Sequence, residues 1–254
     1  MGFDYDVNLI FMVFMRLSGC ILFHPIFGRK NIPTMLRIGL CMMLTFFLYP
    51  LVPEQKLYFS SFIVLFVCAA KELLIGFLIG LITQMFLSVL IMGGELADMQ
   101  IGISMSKVYD PQSNVSMPMS ASIVNAMFYL IFFGTNAHLT LIKMFVKLCE
   151  TVPYGDAPIA PGIFGNLTAL FSLILIYAVK MSLPILAAEM ITEIAVGLIM
   201  RAVPQIDVFV INIQMKLIIG FLILLILAPS FAVFLEKLIE GMFGQINMLF
   251  AALA

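Results

Sequence analysis

Arg16, Lys71, Glu72, Lys180, Glu189, Glu193 and Arg201 are the residues of this chain whose types and places could do chemistry, because all but the last sit inside long apolar runs. A single charge at a bilayer centre costs about 2.5–3.5 kcal/mol on insertion scales, so six of them facing lipid would not be tolerated. They must pair, face a protein interior or line a wet space. Glu189 and Glu193 are four apart and share one helix face, where two ionised carboxylates repel. Lys180 precedes them by three turns or fewer. Two readings follow: a path for ions or protons, or packing charges that pair within the chain or with partner subunits, with Arg201 in the connector beyond Glu193.

The second feature is the segment GISMSKVYDPQSNVSMPMSAS at 102–122, which interrupts two strongly apolar stretches with six serines, three methionines and two prolines. Pro111 and Pro118 oppose regular helix. Met105, Met117 and Met119 are unbranched and polarizable, which suits a deformable contact. Lys107, Tyr109 and Asp110 give it a polar character. From the residues alone, this is an exposed loop between two helices.

Enzyme chemistry is not written in the sequence. HExxH, GxGD, GxSG, a phosphate-binding loop with its lysine and a dinucleotide fingerprint are all missing. "GISM" at 102–105 begins like GxSG and does not complete it. His24 and His138 are far apart and form no metal-ligand pattern, so no metal or cofactor is expected. Cys20, Cys41, Cys68 and Cys149 lie in or beside apolar runs without CxxC spacing and read as buried free thiols.

The elements that must position these residues are helical and membrane-seeking. The chain is 63% hydrophobic and 11% charged, against about 25% charged in a soluble domain. Water could not solvate such a surface, so lipid, protein partners or both must cover it. A net charge of −1 argues against nucleic acid. Apolar runs near the length of a bilayer span occur at 7–27, 36–52, 57–92, 119–149, 163–200 and 208–235, giving an all-α polytopic membrane protein with about six hydrophobic helical regions. Strand-like alternation is lacking. The stretches 57–92 and 163–200 exceed one span and are either long tilted helices or broken pairs, with Pro184 a possible kink in the second. "GFLIG" at 76–80 is a GxxxG, which lets another backbone approach; ordinary helix packing is its simplest use. The N-terminus carries Asp4 and Asp6 and no basic region, so its apolar run reads as a retained segment. Arg29, Lys30 and Arg37 form the densest positive loop and would face the cytoplasm.

Three ordered stretches carry a family resemblance. They are RLSGCILFHPIFGRKNIPTMLRIGL at 16–40, GGELADMQIGISMSKVYDP at 93–111, and LPILAAEMITEIAVGLIMRAVPQIDVFVINIQMKLIIG at 183–220, with Pro204 and Gln205 in its turn. Together they resemble the FliR family of bacterial type III export gates, which serves flagella and, in its injectisome relatives, host-directed secretion. Asp207, Glu189 and the run NIQMK at 212–216 depart from the pattern of many members.

The resemblance implies a FliP-like portion over about 1–160 and a FliQ-like helical hairpin over about 161–254. It implies FliP-like, FliQ-like and FlhB-like partner subunits around a pore for unfolded proteins, in the bacterial inner membrane, with part of the assembly in the periplasm. It also implies that residues 103–119 lie in the pore as a plug. A solute or ion transporter using the buried charges is the alternative from another class. It would show broken-helix repeats in both halves, and no convincing repeat is seen.

Overall fold

The computed structural model describes residues 6–29, 32–52, 55, 57–104, 108–110, 115–155, 162–202 and 208–253. Among them are eight α-helices: α1 (Val7–Leu22), α2 (Thr34–Leu48), α3 (Phe62–Ile101), α4 (Met119–Gly134), α5 (Ala137–Thr151), α6 (Gly162–Ala202), α7 (Val208–Ile226) and α8 (Ala228–Leu253). The all-helical membrane architecture expected from the apolar runs is therefore present. Two three-residue strands, β1 (Val108–Asp110) and β2 (Val115–Met117), pair antiparallel within the polar segment. The expected loop between two helices thus carries a small hairpin.

The two overlong apolar stretches are single helices. α3 has 40 residues and α6 has 41, each about 60 Å at 1.5 Å per residue. That is roughly twice the hydrocarbon thickness of a bilayer. Pro184 lies inside α6 without ending it. Among the described residues three helices, at 34–51, 62–101 and 165–199, are long and apolar enough to cross a membrane, or up to five if each bent pair is one span, and α1 falls short of that length.

The other two runs break where the backbone requires it. α4 ends at Gly134 and α5 begins at Ala137, and between them Asn136 adopts φ 57°. Asn tolerates this left-handed conformation because its short polar side chain bonds locally. α7 and α8 meet at 60°. Pro229, in the first turn of α8, supplies no N–H to carry the α7 ladder onward. Two sequence regions thus become four helices.

The chain forms two compact units that interleave in sequence. The first comprises 1–85, 136–169 and 240–254. In it α1 lies directly on α3, because three glycines remove the side chains between them. A Cβ at Gly76 would fall 2.0 Å from the Arg16 carbonyl, one at Gly80 2.9 Å from Phe23, and one at Gly19 2.3 Å from the Leu73 carbonyl. The GxxxG is thus a seat for a neighbouring helix of the same chain. The face of α1 carrying Met12, Val13, Leu17, Cys20 and Ile21 is fully buried, whereas α2 leaves Met35, Phe46 and Phe47 exposed.

The second unit comprises 86–135 and 170–239. Phe86, Tyr177 and Phe234 form a chain of ring contacts at 6.4 and 6.2 Å. Phe128 stacks on Phe132 one turn away at 5.8 Å. The polar segment belongs to this unit.

Candidate functional site

In the first unit the charges converge on Arg16. Its Nε donates to Glu72 Oε2 at 2.6 Å, and both side chains are essentially fully buried. One terminal nitrogen donates to the carbonyls of Leu148 and Val152 at 3.2 and 2.7 Å, and the other to that of Pro153 at 2.9 Å. The second oxygen of Glu72 accepts the Gly155 N–H at 2.9 Å, at a glycine whose φ is +85°. The guanidinium also lies 3.8 Å above the Tyr154 ring, a cation–π contact.

Desolvation of two charges is compensated only when geometry is good and the remaining donors are used. Here four N–H···O contacts from one guanidinium meet that condition. The node ties α1, α3 and the end of α5 together. Burial pushes the Tyr154 phenol well above its ordinary value. The cavity beside it, between Gln55 and the Cys149–Tyr154 stretch, measures about 190 Å³. That is below the 300–1,000 Å³ typical of small-molecule sites.

The other listed charges have different surroundings. Lys71 is half-buried one position before Glu72. Lys180 is exposed, with its ammonium 6.0 Å from the Tyr177 ring centre. Glu193 is exposed and forms an ion pair with Lys216 of α7. Glu189 is fully buried, and among the described residues neither of its carboxyl oxygens has a hydrogen-bond partner. The two glutamates share a helix face but not an environment. Arg201 is exposed at the end of α6. Pro204 and Gln205 lie outside the described residues, and so does Asp207.

Among the described residues no group of three or more His, Cys, Asp or Glu comes together to hold a metal. The four cysteines are free thiols. His24 is buried between Phe27 and Phe145, with ring centres 5.4 and 6.1 Å away. Its Nδ1 accepts the Ile26 N–H at 3.2 Å. Burial pushes its pKa down to about 3.

The polar segment is rooted in the second unit. α3 ends where Gly102 turns to φ +90°, and the N–H groups of Gly102 and Ile103 both donate to the Asp98 carbonyl at 3.0 Å. The chain returns through β2, Pro118 and the first turn of α4. Pro118 stands at the N-cap of α4 and offers no side-chain cap. Asp98, buried, fills that place from α3: the Ser120 N–H donates to its two oxygens at 3.2 and 3.4 Å, and the Ser120 hydroxyl donates to Oδ1 as well. α3 and α4 touch here, since a Cβ on Gly94 would fall 2.5 Å from Ala121.

Within the segment, Met117 is 7% exposed and accepts the Asn125 amide at 4.0 Å. It therefore packs inward against α4. Met119 is half-buried in the first turn of α4. Tyr109 and Asp110 belong to β1, where they stand opposite Ser116 and Val115. Met105, Lys107 and Pro111 lie outside the described residues. The residues missed by sequence reasoning are Asp98, Ser120 and Tyr154. The lack of a Ser, Thr, Asp or Asn at the N-cap of α4 was a usable sign that its cap comes from elsewhere.

Comparison with known proteins places this arrangement. Residues 7–242 match the family described as bacterial export proteins, family 1. The chain is 32% identical over 238 residues to the flagellar biosynthetic protein FliR of Escherichia coli (strain K12), covering 94% of this chain and 91% of that one. It is 29% identical over 223 residues to the protein of that name in Bacillus subtilis (strain 168), covering 85% and 84%. With that of Aquifex aeolicus (strain VF5) it shares 24% over 243 residues, 94% and 92% of the two chains. A match of this extent, on a helical chain with a polar segment between two apolar helices, means that the chain belongs to the FliR family within the bacterial export proteins, family 1.

Proposed function

We propose that this chain is a non-enzymatic subunit of the flagellar protein-export gate. With FliP-like and FliQ-like partners it forms the pore for unfolded flagellar proteins, and an FlhB-like subunit associates with the assembly. The complex sits in the bacterial inner membrane at the flagellar basal body, partly on the periplasmic side. Residues 1–160 act as the FliP-like part and 161–254 as the FliQ-like hairpin. Residues 103–119 close the pore at rest.

The observation that carries this reading is the segment itself: polar and methionine-bearing, with a short hairpin, between the ends of two apolar helices whose roots are fixed at Asp98 and Ser120. Lipid would not accept it, and a seal that must yield to changing cargo is served by unbranched side chains. Met105 and Met119 supply the deformable contact. Met117, already packed on α4, anchors the returning strand. Arg16 and Glu72 hold the subunit's own frame. Lys71, Lys180, Glu193 and Arg201 meet partner subunits, and the apolar surface of α2 is covered by partners or lipid.

The test is complementation. A flagellate bacterium lacking its own FliR is given this chain together with its FliP-like and FliQ-like partners, and flagellar subunits in the medium are quantified. Restored export with co-purification of the three chains is expected. Stable membrane insertion without co-purification and without export would overturn the reading.

A further inference from the structure

α6 carries two unlike faces along its length. Leu170, Ile174, Ala178, Ile185, Glu189 and Val196, at steps of four or seven residues, form its buried stripe. Ile176, Leu183, Ile191, Ile194 and Leu198 stand on the opposite side and are exposed. Lys180 belongs to that second side, four residues after Ile176 and three before Leu183, and is exposed as well. From 165 to 192 the chain carries only one other charge, Glu189, and it lies on the buried stripe. An otherwise apolar outer face is thus marked by one cation.

The depth of that cation limits what can cover it. A bilayer span takes about 20 residues, and every stretch of about that length drawn from the apolar helix at 165–199 includes position 180. An ammonium facing lipid at the bilayer centre is disfavoured by about 100-fold. Among the described residues Lys180 has no acidic partner to offset this. Its ammonium lies 6.0 Å from the Tyr177 ring centre, at the outer limit of a cation–π contact. Glu189 is on the far side of the helix, and Glu193 is taken by Lys216. The apolar residues around Lys180 fit an apolar neighbour, and the ammonium requires an opposite charge within it.

We propose that the outer face of α6 around Lys180 docks an apolar transmembrane helix of another subunit, one that carries a carboxylate at the level of Lys180. The donors of the ammonium and the two oxygens of the carboxylate let the pair share hydrogen bonds, the condition under which an ion pair tolerates removal from water. The pair also fixes register, since sliding the partner by one helical turn, about 5.4 Å, separates the charges. This inference rests on the reading of the chain as a subunit of the export gate.

The test uses the complex co-purified with its FliP-like and FliQ-like partners. A membrane-permeant carbodiimide activates carboxyl groups, and an amine in direct contact displaces the activated group to leave an amide bond with no spacer. Mass spectrometry should find Lys180 joined to an Asp or Glu in an apolar helix of a different subunit. Lys180→Met should raise the rate of subunit dissociation on dilution by more than about fivefold, the most that an exposed pair contributes. The rise should approach the roughly 30-fold or more seen when one member of a buried charge pair is truncated. Lys180→Arg, which keeps the charge, should recover most of that loss.

Both results are required. An intact complex without the cross-link, or with Lys180 joined only to its own chain or to a second copy of it, overturns the proposal. So does dissociation of Lys180→Met within about fivefold of wild type, which would leave the ammonium to water or a lipid phosphate. Failure of Lys180→Met to assemble while Lys180→Arg does counts as the larger effect; should neither assemble, the wild-type cross-link alone decides. A wild-type chain that never co-purifies with those partners overturns the export-gate reading and this inference with it, whereas an intact complex lacking the cross-link overturns this inference alone.

Discussion

Replacing Arg16 by alanine would strand the Glu72 carboxylate and the carbonyls of Leu148, Val152 and Pro153. Removing one member of a buried pair costs about 3–5 kcal/mol, mostly because the other charge is left uncompensated. For a chain of this size, each kcal/mol corresponds to about 2–4 °C in midpoint, so Arg16→Ala should lower the melting temperature by roughly 6–20 °C. Glu72→Ala should act similarly, since it strands the guanidinium and the Gly155 N–H.

A cycle of Arg16→Met, Glu72→Leu and the two together removes the charges at similar volume, each single substitution in it leaving the opposite charge stranded as its alanine counterpart does. The double substitution leaves only neutral groups without partners, at about 1–3 kcal/mol each, with local relaxation able to pair some of them. The double variant should therefore be no worse than either single one, giving a coupling of at least about 2 kcal/mol in the cycle. The assay is thermal unfolding of the detergent-solubilised complex, followed by tryptic resistance and by circular dichroism. A single-variant shift within about 2 °C, or a double variant equal to the sum of the singles, would refute the claim that this node holds α1, α3 and the end of α5 together.

Gly76→Ala should destabilise by about 1–3 kcal/mol through overpacking, since its Cβ would meet the Arg16 carbonyl; Gly39→Ala, where nothing lies within 4 Å, should be neutral or slightly stabilising, and the same melts compare them. His24 has its pKa lowered to about 3 by burial, below the ordinary 6.5, so the unfolded chain binds the extra proton first. Stability should be fully present above pH 6.5 and fall by up to about 1.4 kcal/mol per pH unit towards pH 3, and His24→Phe should flatten that limb of the unfolding profile. Glu189→Gln or Glu189→Leu should leave the midpoint unchanged or raise it, because the native carboxyl has no hydrogen-bond partner among the described residues; a drop above about 2 kcal/mol would contradict this.

The helices were legible because their apolar runs are long and uninterrupted. α3 and α6 were recognisable as overlong before their continuity was known. The breaks were harder, since Asn136 and Pro229 sit within apolar stretches that composition alone reads as one helix. The GxxxG announced a close approach without naming α1 as the visitor. Arg16 and Glu72 stood out as misplaced charges, yet 56 positions separate them and no local pattern could pair them. Asp98 and Ser120 are 22 apart and each looks ordinary by itself. β1 and β2 are three residues each, too short for alternation to register against Ser, Asp and Pro neighbours. Long-range pairing is decided by tertiary packing, which single-sequence periodicity does not encode.

Resting conductance is the most direct measurement of whether this chain closes an export pore. The co-purified complex is reconstituted into planar bilayers, with residues 104–115 either native or replaced by a short Gly-Ser linker that leaves Asp98, Met117, Pro118 and Ser120 in place. Assembly is checked by the ratio of the three subunits. The expected result is an intact complex that is tight to small ions with the native segment and conducts steadily with the linker. An intact complex that stays tight with the linker would contradict the assignment of residues 103–119 as the barrier.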